Sequence, residues 1–168
     1  LQNALQGDSC YTDLQNNLLL VTWADCIPVI LFEPDRVVVA AIHSGWRGTK
    51  DKIVTKTINK VLDMGGDITK LYVAIGPGIK GCCYKVGYEV VRYFDNECCS
   101  SYIRESGNDF YLDLQGVVYE EVVRRGVKID HIDNYGLCNS CNKDINFFSC
   151  RKDGKDLFEG QAAFIGVY

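Results

Sequence analysis

No stretch of this 168-residue sequence approaches the roughly 20 apolar residues needed to span a bilayer. The most apolar run, residues 27–32, is only strand-sized, so no membrane partner is expected. Basic residues give no excess: 18 Lys and Arg stand against 22 Asp and Glu, for a net charge of −4. That balance argues against a general nucleic-acid-binding surface. No composition shift marks a linker and no internal repeat occurs, so residues 1–168 read as a single domain. No signal peptide is visible. The first residue is Leu1 rather than Met, so the domain is expected to be truncated at its N-terminus. Histidine is scarce, with only His43 and His131.

Cysteine is abundant by contrast, with nine in all. The number is odd, the chain is long, and Cys82-Cys83 and Cys98-Cys99 are vicinal pairs. This is not the pattern of a small secreted disulfide framework. The expected compartment is cytoplasmic, with most thiols reduced and several acting as small buried apolar residues. Cys138-Asn139-Ser140-Cys141 is a CxxC, which can be half of a zinc site or a redox pair. A zinc ribbon needs a second ligand pair, and Cys150 alone does not supply it. The roles of Cys82 and Cys83 stay open.

Hydrophobic residues at 47% and charged residues at 24% suit a soluble globular chain. Residues 14–21 and 27–42 are β-rich. Apolar side chains recurring at three- and four-residue intervals over 49–64 predict a helix, with Thr49 as its cap and Gly65-Gly66 as its stop. Residues 71–75 read as a buried strand, 76–84 as a glycine-rich loop, and 86–94 and 113–125 as helices. Further strands are expected at 129–135, 147–151 and 163–167. Mixed strands and helices indicate an α/β or α+β domain.

The 27–42 region reads as a hairpin turning at Glu33-Pro34-Asp35-Arg36, since proline suits the second position of a turn. If Glu33 and Arg36 close the turn, Cys26 and His43 become direct cross-strand neighbours with Cβ atoms about 5 Å apart. A thiol and an imidazole so placed can share a proton or a metal ion. Ser44-Gly45-Trp46-Arg47 follows the second strand, so polar groups gather at one end of the hairpin. Arg47 and Arg151 are candidate anion-binding residues because a guanidinium makes bidentate bonds to phosphate. The 76–81 loop, with Gly78 at its centre, can present backbone N–H groups to an anion or serve as a tight connection. Trp46 can stack on a base or be buried. Asp25 is expected to orient the loop or a ligand. His131 reads as structural or surface.

Residues 22–29 (TWADCIPV), 41–49 (AIHSGWRGT), 74–86 (AIGPGIKGCCYKV) and 147–154 (FFSCRKDG) together resemble the YfiH-like, laccase-domain family, also called multicopper polyphenol oxidase-like. The resemblance implies a layered α/β (α+β) sandwich with mixed sheets, a fold shared with deamidating toxins that use a Cys/His pair. It also implies zinc-dependent phosphorolysis of purine nucleosides, with adenosine deamination and methylthioadenosine cleavage as accompanying activities. Nucleoside and phosphate would then be the partners. The family's zinc ligands map here to Cys26 and His43; the third, a histidine in a QVHG-like segment, is expected upstream of Leu1. Gln161 stands where the family usually has arginine, and Lys85 where it often has an acidic residue. Two other classes stay open: a metal-independent Cys/His thiol hydrolase or amidase, and a binding module without catalysis. A true multicopper oxidase needs many histidines, and this chain has two.

Overall fold

The computed structural model describes residues 7–154 and 160–168. Its centre is a five-stranded sheet in the order β1-β4-β3-β5-β9. The strands are β1 (Ser9–Thr12), β3 (Ile27–Glu33), β4 (Val38–Ser44), β5 (Tyr72–Ile75) and β9 (Ile132–Asn134). All neighbouring pairs are antiparallel except β5 and β9, which run parallel. A two-stranded ribbon pairs β2 (Asn17–Trp23) with β10 (Gln161–Val167). A small three-stranded sheet joins β6 (Lys85–Val86), β8 (Asp109–Leu112) and β7 (Ile103–Ser106).

The period-two alternation of strands builds the layers. Ile27, Val29 and Leu31 on β3, with Val38, Ala40 and Ile42 on β4, point into one cluster with Val54, Ile58 and Val61. The last three lie on helix α2 (Ile53–Asp63), and helix α4 (Leu114–Arg124) adds Val117, Val118 and Val122 to the same cluster. The intervening β4 residues Val39 and Ala41 are buried as well; the β2–β10 ribbon packs against β3 and β4. The expected layered fold with mixed sheets is therefore the observed one.

Four local expectations fail for identifiable reasons. The helix over 49–64 is split into α1 (Trp46–Lys50) and α2, because Lys52 between them sits at φ 60°. Thr49 is no cap: it lies inside α1, buried, where its hydroxyl meets Ser44 Oγ at 2.9 Å and donates to the Gly45 carbonyl. The helix expected over 86–94 shrinks to α3 (Tyr88–Val91). The strand expected at 147–151 is replaced by helix α5 (Cys150–Asp153), whose cap Ser149 accepts from the Lys152 N–H.

The hairpin register also differs. Glu33 pairs with Val38, so the loop holds four residues, Pro34 to Val37. The buried Glu33 carboxylate accepts the Arg36 N–H at 2.8 Å, and Val37 takes φ 55°. This lets a longer loop close without a primed two-residue turn. His43 consequently faces Pro28 rather than Cys26. Leu31 is fully buried on the central strand. Replacing it with Ala should cost about 2–5 kcal/mol, read as a lower urea midpoint at unchanged slope.

Candidate functional site

Asp25 ends the turn before β3 with its backbone at φ 90° and its side chain buried. Its carboxylate takes three donors. Ser149 Oγ–H donates to Oδ1 at 2.5 Å, Asn139 Nδ2 to Oδ1 at 3.1 Å, and the Arg151 backbone N–H to Oδ2 at 3.0 Å. The Asp25 carbonyl accepts from the Ile79 N–H. One buried carboxylate thereby joins the start of β3, the glycine loop, the CxxC and the cap of α5. The expectation that Asp25 orients its loop describes this geometry.

Beyond the Ile27–Ser44 pair, the next residues are Cys26 and Gly45. A Cβ on Gly45 would lie 2.9 Å from Cys26 Sγ, so the absent side chain is what leaves room for the sulfur. The departure from the expected pairing is an even number of residues. His43 and Cys26 are therefore diagonal rather than direct neighbours. Asp8 bridges them. Its Oδ1 lies 3.0 Å from His43 Nδ1, and its carbonyl accepts the His43 N–H. Burial pushes the Cys26 thiol up to about 11, and the neighbouring Asp25 and Asp8 carboxylates push the same way. With Nδ1 facing a carboxylate, His43 keeps Nε2 as its second nitrogen for a proton or a metal. One thiol and one imidazole suit zinc by type, and Asp8 holds the imidazole as such ligands are usually held.

The expected phosphate and base residues share one cleft of about 790 Å³, lined by Trp46, Arg47 and Arg151 together with Tyr84, Tyr88 and Phe110. The Arg47 guanidinium lies 4.4 Å from the centre of the Trp46 ring. Trp46 itself is half-buried and stacks on Tyr93 at 6.2 Å. Arg151 lies 5.1 Å from the Tyr84 ring centre and donates to the Lys85 carbonyl. Burial raises the Tyr84 phenol to about 12; Arg151 opposes this, and Cys26 and Asp25 reinforce it.

Gly78 belongs elsewhere. It is buried, its N–H donates to the Leu137 carbonyl, and its carbonyl accepts from Asn139. A side chain there would run into Ile27 and the carbonyls of Asp25 and Cys26. The N–H groups of Gly76 and Ile79 are likewise spent, on Pro28 and Asp25. The 76–81 loop is the tight connection of the two readings, and these groups do not form an anion cradle. His131 stacks on Tyr72 at 4.2 Å, far along the sheet from Cys26 at the edge formed by β9.

The CxxC finds the second pair that spacing did not supply. The sulfurs of Cys82, Cys83, Cys138 and Cys141 all lie within 4.8 Å of one another, a group that could hold a metal ion. Sequence reasoning also missed Asp8, Asn139, Ser149 and Tyr84. Ser149 alone carried a readable signal, a serine before Cys-Arg-Lys-Asp as in a helix cap.

The family model described as multi-copper polyphenol oxidoreductase laccase matches residues 2–167. The chain belongs to this family. A purine nucleoside phosphorylase of Clostridium acetobutylicum is 39% identical over 155 residues, covering 90% of this chain and 63% of that protein. An adenosine deaminase, RL5, from an unknown prokaryotic organism is 30% identical, covering 98% of this chain and 63% of its own length. The crystal structure of the hypothetical protein YfiH from Bacillus licheniformis superposes with a TM-score of 0.88 at 30% identity, over 96% of this chain and 61% of that one. The chain thus spans about three-fifths of the length of these relatives.

Asp25→Ala should leave Ser149 Oγ and the Arg151 N–H without their acceptor, whereas Asn139 retains its bond to the Phe148 carbonyl. The expected loss is about 2–4 kcal/mol, measured by urea denaturation. Asn139→Ala should cost about half as much, since it removes a single donor to the carboxylate.

Proposed function

We propose that this protein is a purine nucleoside phosphorylase acting at the cleft beside Cys26 and His43, with zinc at that pair. The observation that carries the reading is the convergence of Arg47, Arg151, Trp46 and Tyr84 on one cleft, with Trp46 following Gly45, against which Cys26 Sγ packs. The names of the curated relatives, purine nucleoside phosphorylase and adenosine deaminase, support a purine nucleoside as substrate. A cleft of this size suits a nucleoside with phosphate.

Phosphorolysis joins a phosphate oxygen to ribose C1′ while the bond from C1′ to the purine nitrogen breaks. Positive charge grows on the sugar, and the base leaves with the electron pair. Arg47 and Arg151 would hold the phosphate by paired N–H donors and keep it aimed at C1′. Trp46, Tyr88 and Phe110 would offer ring faces to the base. Asp25 acts at one remove: it fixes the Arg151 backbone and the turn carrying Cys26. Cys26 and His43 would hold zinc, and the ion would supply Lewis acidity for the accompanying deamination. Asp8 would keep His43 oriented.

The thiol-hydrolase alternative needs surroundings that lower the pKa of the nucleophilic thiol. Burial and two neighbouring carboxylates do the opposite at Cys26.

Purified protein incubated with adenosine and phosphate should release adenine and ribose-1-phosphate, followed by chromatography. Arg151→Ala should raise KM for phosphate about tenfold or more, equivalent to some 1.4 kcal/mol, with a smaller change in kcat. Cys26→Ala should abolish turnover. Inosine and ammonia without free base would replace the phosphorylase reading by a deaminase. An absence of turnover on either route would favour the binding module.

A further inference from the structure

Four thiols lie away from the cleft just described. Cys82 and Cys83 close the glycine loop, and Cys138 and Cys141 form the CxxC; their sulfurs all fall within 4.8 Å of one another. Cys82 Sγ and Cys141 Sγ are 3.5 Å apart, and all four are free cysteines. A tetrahedral ion with metal–sulfur bonds of about 2.3 Å sets its sulfurs about 3.8 Å apart. The cluster is therefore already close to the dimensions of a single-ion tetrathiolate. Sulfur-only donors in a tetrahedron select zinc or iron among common metals.

The surroundings match a metal-binding knuckle. The two cysteine-bearing segments are already laced together. Gly78 and Cys138 form a parallel bridge, Asn139 N–H donates to the Gly78 carbonyl, and Lys80 Nζ donates to the Gly136 carbonyl at 3.2 Å.

We propose that Cys82, Cys83, Cys138 and Cys141 bind one structural zinc ion, separate from the Cys26–His43 pair. Four thiols give up their protons and fill the coordination sphere, which leaves no open position for substrate. The ion clamps the glycine loop to the CxxC segment. Both segments reach the candidate site: Asn139, between the CxxC cysteines, donates to Asp25, and Tyr84, next to Cys83, lines the cleft. The role is structural positioning of the cleft rather than chemistry in it.

The test counts metal in a background where the other pair is disabled. Cys26→Ala protein, purified anaerobically with zinc supplied, should retain about one equivalent per chain. Adding Cys82→Ser and Cys141→Ser should remove it, with the remaining Cys83 and Cys138 losing their protection from alkylation at the same time. Cobalt(II) loaded into the Cys26→Ala protein should show the strong sulfur-to-cobalt charge transfer and visible bands of a tetrahedral tetrathiolate. Cys141→His should keep the ion while shifting that spectrum toward a three-sulfur, one-nitrogen site, which separates lost ligation from lost folding. A metal-free Cys26→Ala protein whose four thiols alkylate freely would overturn the proposal. So would a cobalt spectrum that is unchanged by the Cys82→Ser/Cys141→Ser pair.

Discussion

The arrangement of the candidate site rests on one buried carboxylate. Asp25 holds no salt bridge among the described residues; its charge is spread over a hydroxyl, an amide and a backbone N–H. A buried charge left without such donors would be very costly, and hydrogen bonds to a charged group are among the stronger ones. The carboxylate also accounts for the left-handed backbone at Asp25. A non-glycine residue there carries a strain of about 1–3 kcal/mol, which the side-chain bonds offset. The strained turn is what sends the chain directly from Asp25 into Cys26 and the central strand.

From this point the site has two sides. One side is the thiol and imidazole end of the β3–β4 hairpin, with Asp8 reaching over from the start of β1. The other is the arginine cleft, walled by the small β6-β8-β7 sheet. Tyr84 and Arg151 both line the cleft, and both lie on loops that the Asp25 network fixes. The membership in a family whose curated relatives are named for nucleoside chemistry gives this geometry a consistent use.

Much of this was legible in the residues. The β3 and β4 strands, α2 and α4 follow from apolar periodicity, and the polar cluster at the hairpin end follows from their length. What sequence pattern could not supply was mostly long-range or capping chemistry. The hairpin register depends on Glu33 closing a four-residue loop with its own carboxylate, which no turn propensity encodes. The β7–β8 hairpin escaped because Arg104, Glu105 and Ser106 are exposed and polar, so they lack the alternating apolar signal. Residues 147–151 looked extended from Phe147-Phe148, but Ser149 begins a helix. The CxxC seemed incomplete because its partner pair is vicinal and far upstream, a spacing that no common metal motif suggests.

The separations in the Asp25 network carry a temporal meaning. Its three donors lie 114, 124 and 126 residues further along the chain. Synthesis proceeds from the N-terminus at roughly 5–20 residues per second. A nascent chain on the ribosome therefore leaves this acid to water for several seconds, until the segment holding Asn139, Ser149 and Arg151 emerges. The central hairpin can form early, while the candidate site is completed only after that distant segment has arrived.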